Sequence, residues 1–297
     1  MTFDEFAFAA GDGLRLSGRL YGTLTPGTLP FVCLPGLTRN ARDFHALAEA
    51  LAGLPDPRPL AAFDYRGRGR SEWSPDAASY SVLQEARDVL VGLEHLGIDR
   101  AVFIGTSRGA LIIHLLAMMA PEMIASAVLN DAGPRIEAEG LMAIRSYVGL
   151  SGPFPDWAAA TEHVRTIYAP SFPALSHSDF DRMARATFIE TGNGIVADHD
   201  PNLARQLALL DLDQPLPELW NAFEALSAVP LLVIRGEHST LLSRATVDRM
   251  QSRHPDLAAV EVAGQGHAPL LESGDLPALI HALAQRATIV PKHRTPD

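Results

Sequence analysis

Residues 101–117 constrain this chain more than any other stretch. Ala101-Val102-Phe103-Ile104 is an apolar, β-prone run, Gly105-Thr106-Ser107-Arg108-Gly109 follows it, and Ala110-Leu111-Ile112-Ile113-His114-Leu115-Leu116-Ala117 continues in a helical pattern. A serine between two glycines at a strand-to-helix junction predicts a sharp, strained turn that lifts Oγ clear of a sheet edge. Glycine is needed on both flanks because a side chain there collides with the neighbouring strand or helix. The helix that follows aims its free N–H groups at the serine, which favours developing negative charge. The pattern reads as a nucleophile elbow; the bland alternative is an ordinary Gly/Ser turn.

The rest of the chain supplies the sheet such a turn requires. β-prone runs occur at 3–9, 13–22, 31–34, 60–63, 101–104, 125–129, 230–234 and 257–262, with amphipathic patterns at about 41–53, 80–97, 108–120, 243–253 and 275–288. Gly11-Asp12-Gly13 joins the first two runs as a hairpin. From there strand and helix alternate, which predicts an α/β fold: a mostly parallel eight-stranded sheet flanked by helices. The alternation breaks at about 135–225, a helical stretch with proline at 153, 155, 170, 173, 201, 215 and 217 and no convincing strand pair. This stretch is read as a helical lid inserted between strands six and seven. The expected organisation is a core of 1–134 and 226–290, a lid of 135–225, and a polar, disordered tail at 291–297.

Bulk properties narrow the function class. With 297 residues, 47% apolar and 20% charged, the chain has the make-up of a globular enzyme able to bury a full core. A net charge of −11 leaves no basic stripe for phosphates, so nucleic acid is not an expected partner. The single cysteine, Cys33, lies in an apolar run and reads as a small buried hydrophobe. Met1-Thr2-Phe3-Asp4-Glu5-Phe6 carries no basic n-region, and no apolar stretch is long enough to span a bilayer. A cytoplasmic location without membrane association is expected.

A serine nucleophile needs a base, and the base needs a carboxylate to orient it. His267, in Gly264-Gln265-Gly266-His267-Ala268-Pro269, follows the last strand directly and shares the C-terminal rim of a parallel sheet with Ser107. His114, two turns along the serine's own helix, reads as a packed core histidine. The N–H of Arg108 and the N–H of Leu37, in the loop Leu34-Pro35-Gly36-Leu37-Thr38-Arg39-Asn40, are the expected oxyanion donors.

The elbow, the Pro-Gly loop, the run Asp64-Tyr65-Arg66-Gly67-Arg68-Gly69-Arg70-Ser71 and the late Gly-His together resemble the α/β-hydrolase fold superfamily. The resemblance covers nearly all of the chain outside the lid. It implies that residues 64–71 brace the sheet without a catalytic part, and that Asn130-Asp131-Ala132-Gly133-Pro134 leads out into the lid. One departure matters. Many relatives place the acid after the penultimate strand, near Ser239 or Thr240, and neither can carry the charge. The carboxylate is then Asp131, the preferred candidate, or Glu237, or it is absent; Asp131 also has a purely structural reading as a turn brace before Gly-Pro.

Hydrolysis of a small or medium apolar carboxylic ester, through an acyl-enzyme on Ser107 and without metal or organic cofactor, is the expected activity. Asp198-His199-Asp200 is read as a solvated lid turn, since three successive residues cannot all face one ion. Met142, Tyr147, Phe154, Trp157, Tyr168, Phe172 and Phe188 are expected mostly to form the lid's own core, with a minority lining the pocket. Alternatives on the same scaffold are a lactonase, a C–C hydrolase using Arg145 or Arg165 to hold a carboxylate, and a non-catalytic ligand-binding homologue.

Overall fold

The computed structural model describes residues 1–149, 152–208, 211–212 and 214–287; the tail at 291–297, expected to be disordered, lies outside them. In chain order the first half comprises β1 (Asp4–Ala9), β2 (Arg15–Tyr21), β3 (Phe31–Leu34), α1 (His45–Ala52), β4 (Leu60–Asp64), α2 (Val82–Leu96), β5 (Ala101–Thr106), α3 (Arg108–Met119) and β6 (Ile124–Asn130). Next come α4 (Ala138–Tyr147), α5 (Trp157–Tyr168), α6 (His177–Thr187), β7 (Phe188–Thr191), β8 (Gly194–Ala197), α7 (Asn202–Ala208) and α8 (Trp220–Glu224). The chain then returns through β9 (Leu231–Gly236), α9 (Arg244–Arg253), β10 (Leu257–Val262) and α10 (Leu276–Arg286).

Eight strands form one sheet in the order β1-β2-β4-β3-β5-β6-β9-β10. β2 pairs antiparallel with β1 and with β4, and every later pairing is parallel. Central strands are buried on both faces, so alternate residues feed two cores. Val32, Leu34, Ala101 and Phe103 pack with α2, α3 and α9, whereas Phe31, Cys33, Val102 and Ile104 pack with α1 and α10. Cys33 is fully buried, as its apolar run predicts.

Strand order reverses between β3 and β5, and the crevice at such a point lies beyond the strands' C-terminal ends. Leu34 pairs in register with Gly105 there, so the loop after β3 and the turn after β5 emerge side by side. The 64–71 run braces this end. The Asp64 carboxylate accepts from Ala41 N (2.7 Å), Ser17 Oγ (3.0 Å) and Arg70 N (3.1 Å), and Arg66 forks onto Asp88 at 2.7 and 2.8 Å.

Residues between β6 and β9 differ from the sequence expectation in two ways. First, they contain a strand pair: β7 and β8 run antiparallel, with Thr191 opposite Gly194 across a Gly192-Asn193 turn. Phe188-Ile189-Glu190 and Ile195-Val196 flanking a Gly-Asn-Gly run are a hairpin signal that the surrounding helical pattern masked. Second, Asp198-His199-Asp200 is buried, not solvated. It pairs with the 64–71 loop: Gly69 N donates to Asp198 O (3.2 Å) and Asp200 N to Gly67 O (2.8 Å). The Asp198 carboxylate takes the Arg42 guanidinium at 2.6 Å, and Tyr80 Oη donates to Asp200 Oδ2 at 2.5 Å. Burial and the nearby Arg68 charge push the His199 imidazole down to about 4, so it sits there neutral.

Candidate active site

Ser107 sits between β5 and α3 with φ 53° and ψ −110°, a conformation that L-residues rarely adopt. Its two glycines are sterically required. A Cβ on Gly105 falls 2.5 Å from the Gly109 carbonyl carbon, and a Cβ on Gly109 falls 2.0 Å from Leu34 O. The Ser107 N–H donates to Asn130 O (2.9 Å), which ties the strained turn to β6.

His267 Nε2 lies 2.8 Å from Ser107 Oγ, and its Nδ1 lies 2.8 Å from Asp131 Oδ2. The three residues come from the ends of β5, β6 and β10, so the parallel sheet alone brings them to one rim. The histidine loop is held by Asn130 Nδ2, which donates to Pro269 O (3.0 Å), and by Leu270 N, which donates to Gln265 Oε1 (2.9 Å). Gly236 and Gly266 touch so closely that a Cβ on Gly236 falls 2.2 Å from Gly266 O.

Asp131 follows β6 directly, with φ 56°, and is 0% exposed. Its Oδ1 accepts the Gly236 N–H (2.8 Å), and its Oδ2 accepts the Ser239 hydroxyl (2.6 Å) as well as His267. Burying this carboxylate is compensated by three donors. The bracing role and the imidazole contact are therefore carried by the same side chain. Ser239 occupies the place where the sequence lacks an acid, and it donates to the acid that stands one strand over. Glu237, the other candidate, turns outward: it accepts from Gly264 N (2.7 Å), its side chain is 42% exposed, and it lies 3.8 Å from the His238 imidazole.

Arg108 directly follows Ser107, and Leu37 lines the same cavity as Ser107. The Arg108 N–H is the first of α3 and has no intrahelical acceptor. On the other side, the Leu37 peptide is fixed by Arg68 Nε, which donates to Leu37 O at 2.8 Å, and Tyr65 Oη donates to Pro35 O at 3.2 Å. His114 is packed as expected: fully buried, 2.7 Å from Ala110 O through Nδ1, with burial pushing the ring down to about 4.

A cavity of about 380 Å³ opens above Ser107 and His267. Ile144, Tyr147, Val148, Tyr168, Phe172 and Met183 form its apolar side. Phe172 also belongs to the insertion's own core with Phe180 and Phe188, while Met142 is exposed at 48%. Of the arginines on the cavity wall, Arg39 forks onto Asp43 at 2.8 and 2.6 Å, Arg42 holds Asp198, Arg182 takes Asp179 at 2.6 Å, Arg185 takes Asp181 at 2.9 Å, and Arg19 lies 4.1 Å over the Phe3 ring. Burial works against the Arg39 charge, but Asp43 outweighs it and keeps the guanidinium firmly protonated. Arg145 and Arg165 do not line the cavity; Arg165 pairs on the surface with Glu162 at 2.6 Å. Among the described residues, no cluster of His, Cys, Asp or Glu could hold a metal ion.

The sequence profile of the alpha/beta hydrolase fold matches residues 30–274. The chain belongs to the alpha/beta hydrolase family. This hydrolase is 34% identical over 250 residues to a 3-hydroxybutyrate-oligomer hydrolase from Cupriavidus necator, covering 80% of the chain and 82% of that protein. It is 29% identical to a 2-(acetamidomethylene)succinate hydrolase from Mesorhizobium japonicum, over 78% and 79% of the two chains. Among solved structures, an alpha/beta hydrolase from Novosphingobium aromaticivorans superposes with a TM-score of 0.88 at 38% identity, covering 96% and 98%.

Sequence reasoning about this hydrolase missed Ser239 as a partner of Asp131, and the pairing of Arg39 with Asp43. The first had a signal, since an expected acid replaced by a hydroxyl donor asks where the acid went. The second had only i, i+4 spacing, which surface helices share. No helix among the described residues is long and apolar enough to cross a membrane.

Proposed function

We propose that this alpha/beta hydrolase cleaves carboxylic esters through an acyl-enzyme on Ser107, in the cytoplasm and with no cofactor. The continuous hydrogen-bonded line Ser107–His267–Asp131, at 2.8 Å in both links, carries this reading. His267 Nε2 takes the Oγ proton as Ser107 attacks the ester carbonyl, and the Leu37 and Arg108 N–H groups receive the oxyanion. His267 then gives that proton to the departing alcohol oxygen. In the second half it draws a proton from water, which attacks the acyl carbon and releases the acid with Oγ reprotonated. Asp131 holds the imidazole by Nδ1 and stabilises its charged form.

The insertion at 135–225 acts as a lid whose aromatic and aliphatic residues hold the acyl or alcohol chain. The apolar side of the cavity favours an aliphatic acyl or alcohol chain; on the wall Arg39, Arg42 and Arg182 are paired with carboxylates, and Arg19 lies 4.1 Å over the Phe3 ring. Arg145 and Arg165, the cations that the C–C hydrolase reading calls on, do not line the cavity, which disfavours that reading. Short aliphatic oxyesters fit, and 3-hydroxyacyl oligoesters, the substrate class named for the Cupriavidus relative, are one such chemistry. The contact of Asp131 Oδ2 with His267 Nδ1 at 2.8 Å argues against the non-catalytic reading.

Turnover of p-nitrophenyl butyrate and of a 3-hydroxybutyrate trimer, by the unmodified protein and Ser107→Ala, tests this. Turnover of one or both that drops to background in Ser107→Ala is expected. Turnover of neither, or turnover that survives the substitution, contradicts it.

A further inference from the structure

The 64–71 loop does more than brace the sheet. Arg68 is wholly buried, and its guanidinium spans two jobs: Nε donates to Leu37 O (2.8 Å), and Nη1 donates to Glu85 Oε1 (2.7 Å). Glu85, on α2 and also wholly buried, uses its second oxygen to accept from Arg108 Nε at 2.5 Å. Arg108 Nη2 in turn donates to Tyr80 O (2.9 Å). One carboxylate thus ties together two guanidinium groups, each attached to a different side of the site. One grips the peptide of Leu37, and the other belongs to the residue directly after Ser107.

We infer that Arg68, Glu85 and the Arg108 side chain are positioning residues that fix the two oxyanion donors, Leu37 N–H and Arg108 N–H, relative to each other. This rests on the hydrolytic role of Ser107 proposed above. The physical need is clear. The donors come from separate segments after β3 and β5, and an error near 1 Å in their relative placing can cost about 100-fold in rate. A buried carboxylate shared by two guanidinium groups is a rigid link, because moving either arginine leaves a charge unpaired in the interior. The link also reaches the insertion. Tyr80, whose carbonyl holds Arg108, donates its hydroxyl to Asp200, and the backbone of His199 pairs with that of Arg68.

Charge and geometry make opposite predictions for Glu85→Gln, which makes the inference testable. Removing the carboxylate leaves the trio more positive, and by Coulomb attraction alone that favours an oxyanion. Loosening the donors disfavours it. The measurement is kcat and KM for p-nitrophenyl butyrate, with kcat normalised to active sites counted by end-point labelling of Ser107 with a fluorophosphonate. Glu85→Gln is expected to lower kcat per site about 100-fold with KM nearly unchanged, the range seen when one oxyanion donor is lost. Arg108→Lys keeps the charge and the Arg68–Glu85 pair but loses the fork, and about a tenfold loss in kcat per site is expected.

If Glu85→Gln does not fold, Arg108→Lys carries the test alone. Equal or higher kcat per site in the variants, with only the melting temperature lowered, overturns the positioning role while leaving the hydrolase reading intact. Absence of Ser107-dependent turnover in the unmodified protein overturns both.

Discussion

The rim around Ser107 and the insertion between β6 and β9 solve different folding problems. At the rim, backbone segments approach so closely that glycine is the only residue tolerated at several positions, and Ser107 and Asp131 are held at positive φ. The insertion instead packs as short helices and a hairpin around Phe172, Phe180 and Phe188, and fastens to the core by polar side chains. Steric necessity leaves a short, local signature in sequence. Long-range fastening does not: Arg42 and Asp198 are 156 residues apart, and nothing in either neighbourhood announces the other.

Glycine substitutions give the sharpest contrast. Gly109→Ala places a methyl 2.0 Å from Leu34 O, inside backbone that cannot yield, whereas Gly192 in the insertion's hairpin has open space around it. Gly109→Ala is expected to lose about 4 kcal/mol or more of stability, or to fail to fold, while Gly192→Ala stays within about 1 kcal/mol of the unmodified protein. Urea unfolding followed by circular dichroism reads both. A tolerated Gly109→Ala breaks the steric explanation of the elbow.

Acid conditions probe a second difference. The buried imidazoles of His114, in the core, and His199, against the 64–71 loop, are both pushed down to about 4, below the unfolded value near 6.5. Between those values the unfolded chain binds more protons, so stability falls as the pH drops from about 6.5 towards 4. Each histidine contributes on the order of 2 kcal/mol of this loss at pH 5. His199→Gln is expected to flatten about half of their joint contribution. An unchanged slope in thermal melts between pH 7 and 5 means that His199 is not held neutral.

Fastening of the insertion supplies the smallest effect. Asp198→Ala leaves Arg42 without its carboxylate, and a cost of about 2 kcal/mol or less is expected, concentrated in residues near β7 and β8. Limited proteolysis and hydrogen exchange should show opening there before the sheet opens. Uniform loss of protection across the molecule contradicts a separately fastened insertion.

How far the sequence could be read follows the same division. All eight strands of the sheet were legible: the first two as β-prone runs joined by a hairpin signal, the other six as β-prone runs of four to six residues that alternate with amphipathic helical patterns; Ser107, Asp131 and His267 meet because each follows a parallel strand at the same rim. The hairpin at 188–197 was hidden in a stretch whose composition reads as helical. The buried placing of Asp198-His199-Asp200 was illegible for a different reason. Charged residues in a polar run look solvated unless their partners are known, and those partners, Arg42, Gly67, Gly69 and Tyr80, lie far away in sequence.

The proposal that Asp131 serves as the acid is tested most directly by comparing Asp131→Asn with Glu237→Gln, using kcat for p-nitrophenyl butyrate and the melting temperature of each. Asp131→Asn is expected to lower kcat by about 10⁴, the cost of losing the group that orients the histidine, while Glu237→Gln stays within about twofold. A near-normal kcat in Asp131→Asn, or a collapse in Glu237→Gln, contradicts the placement of the carboxylate after β6.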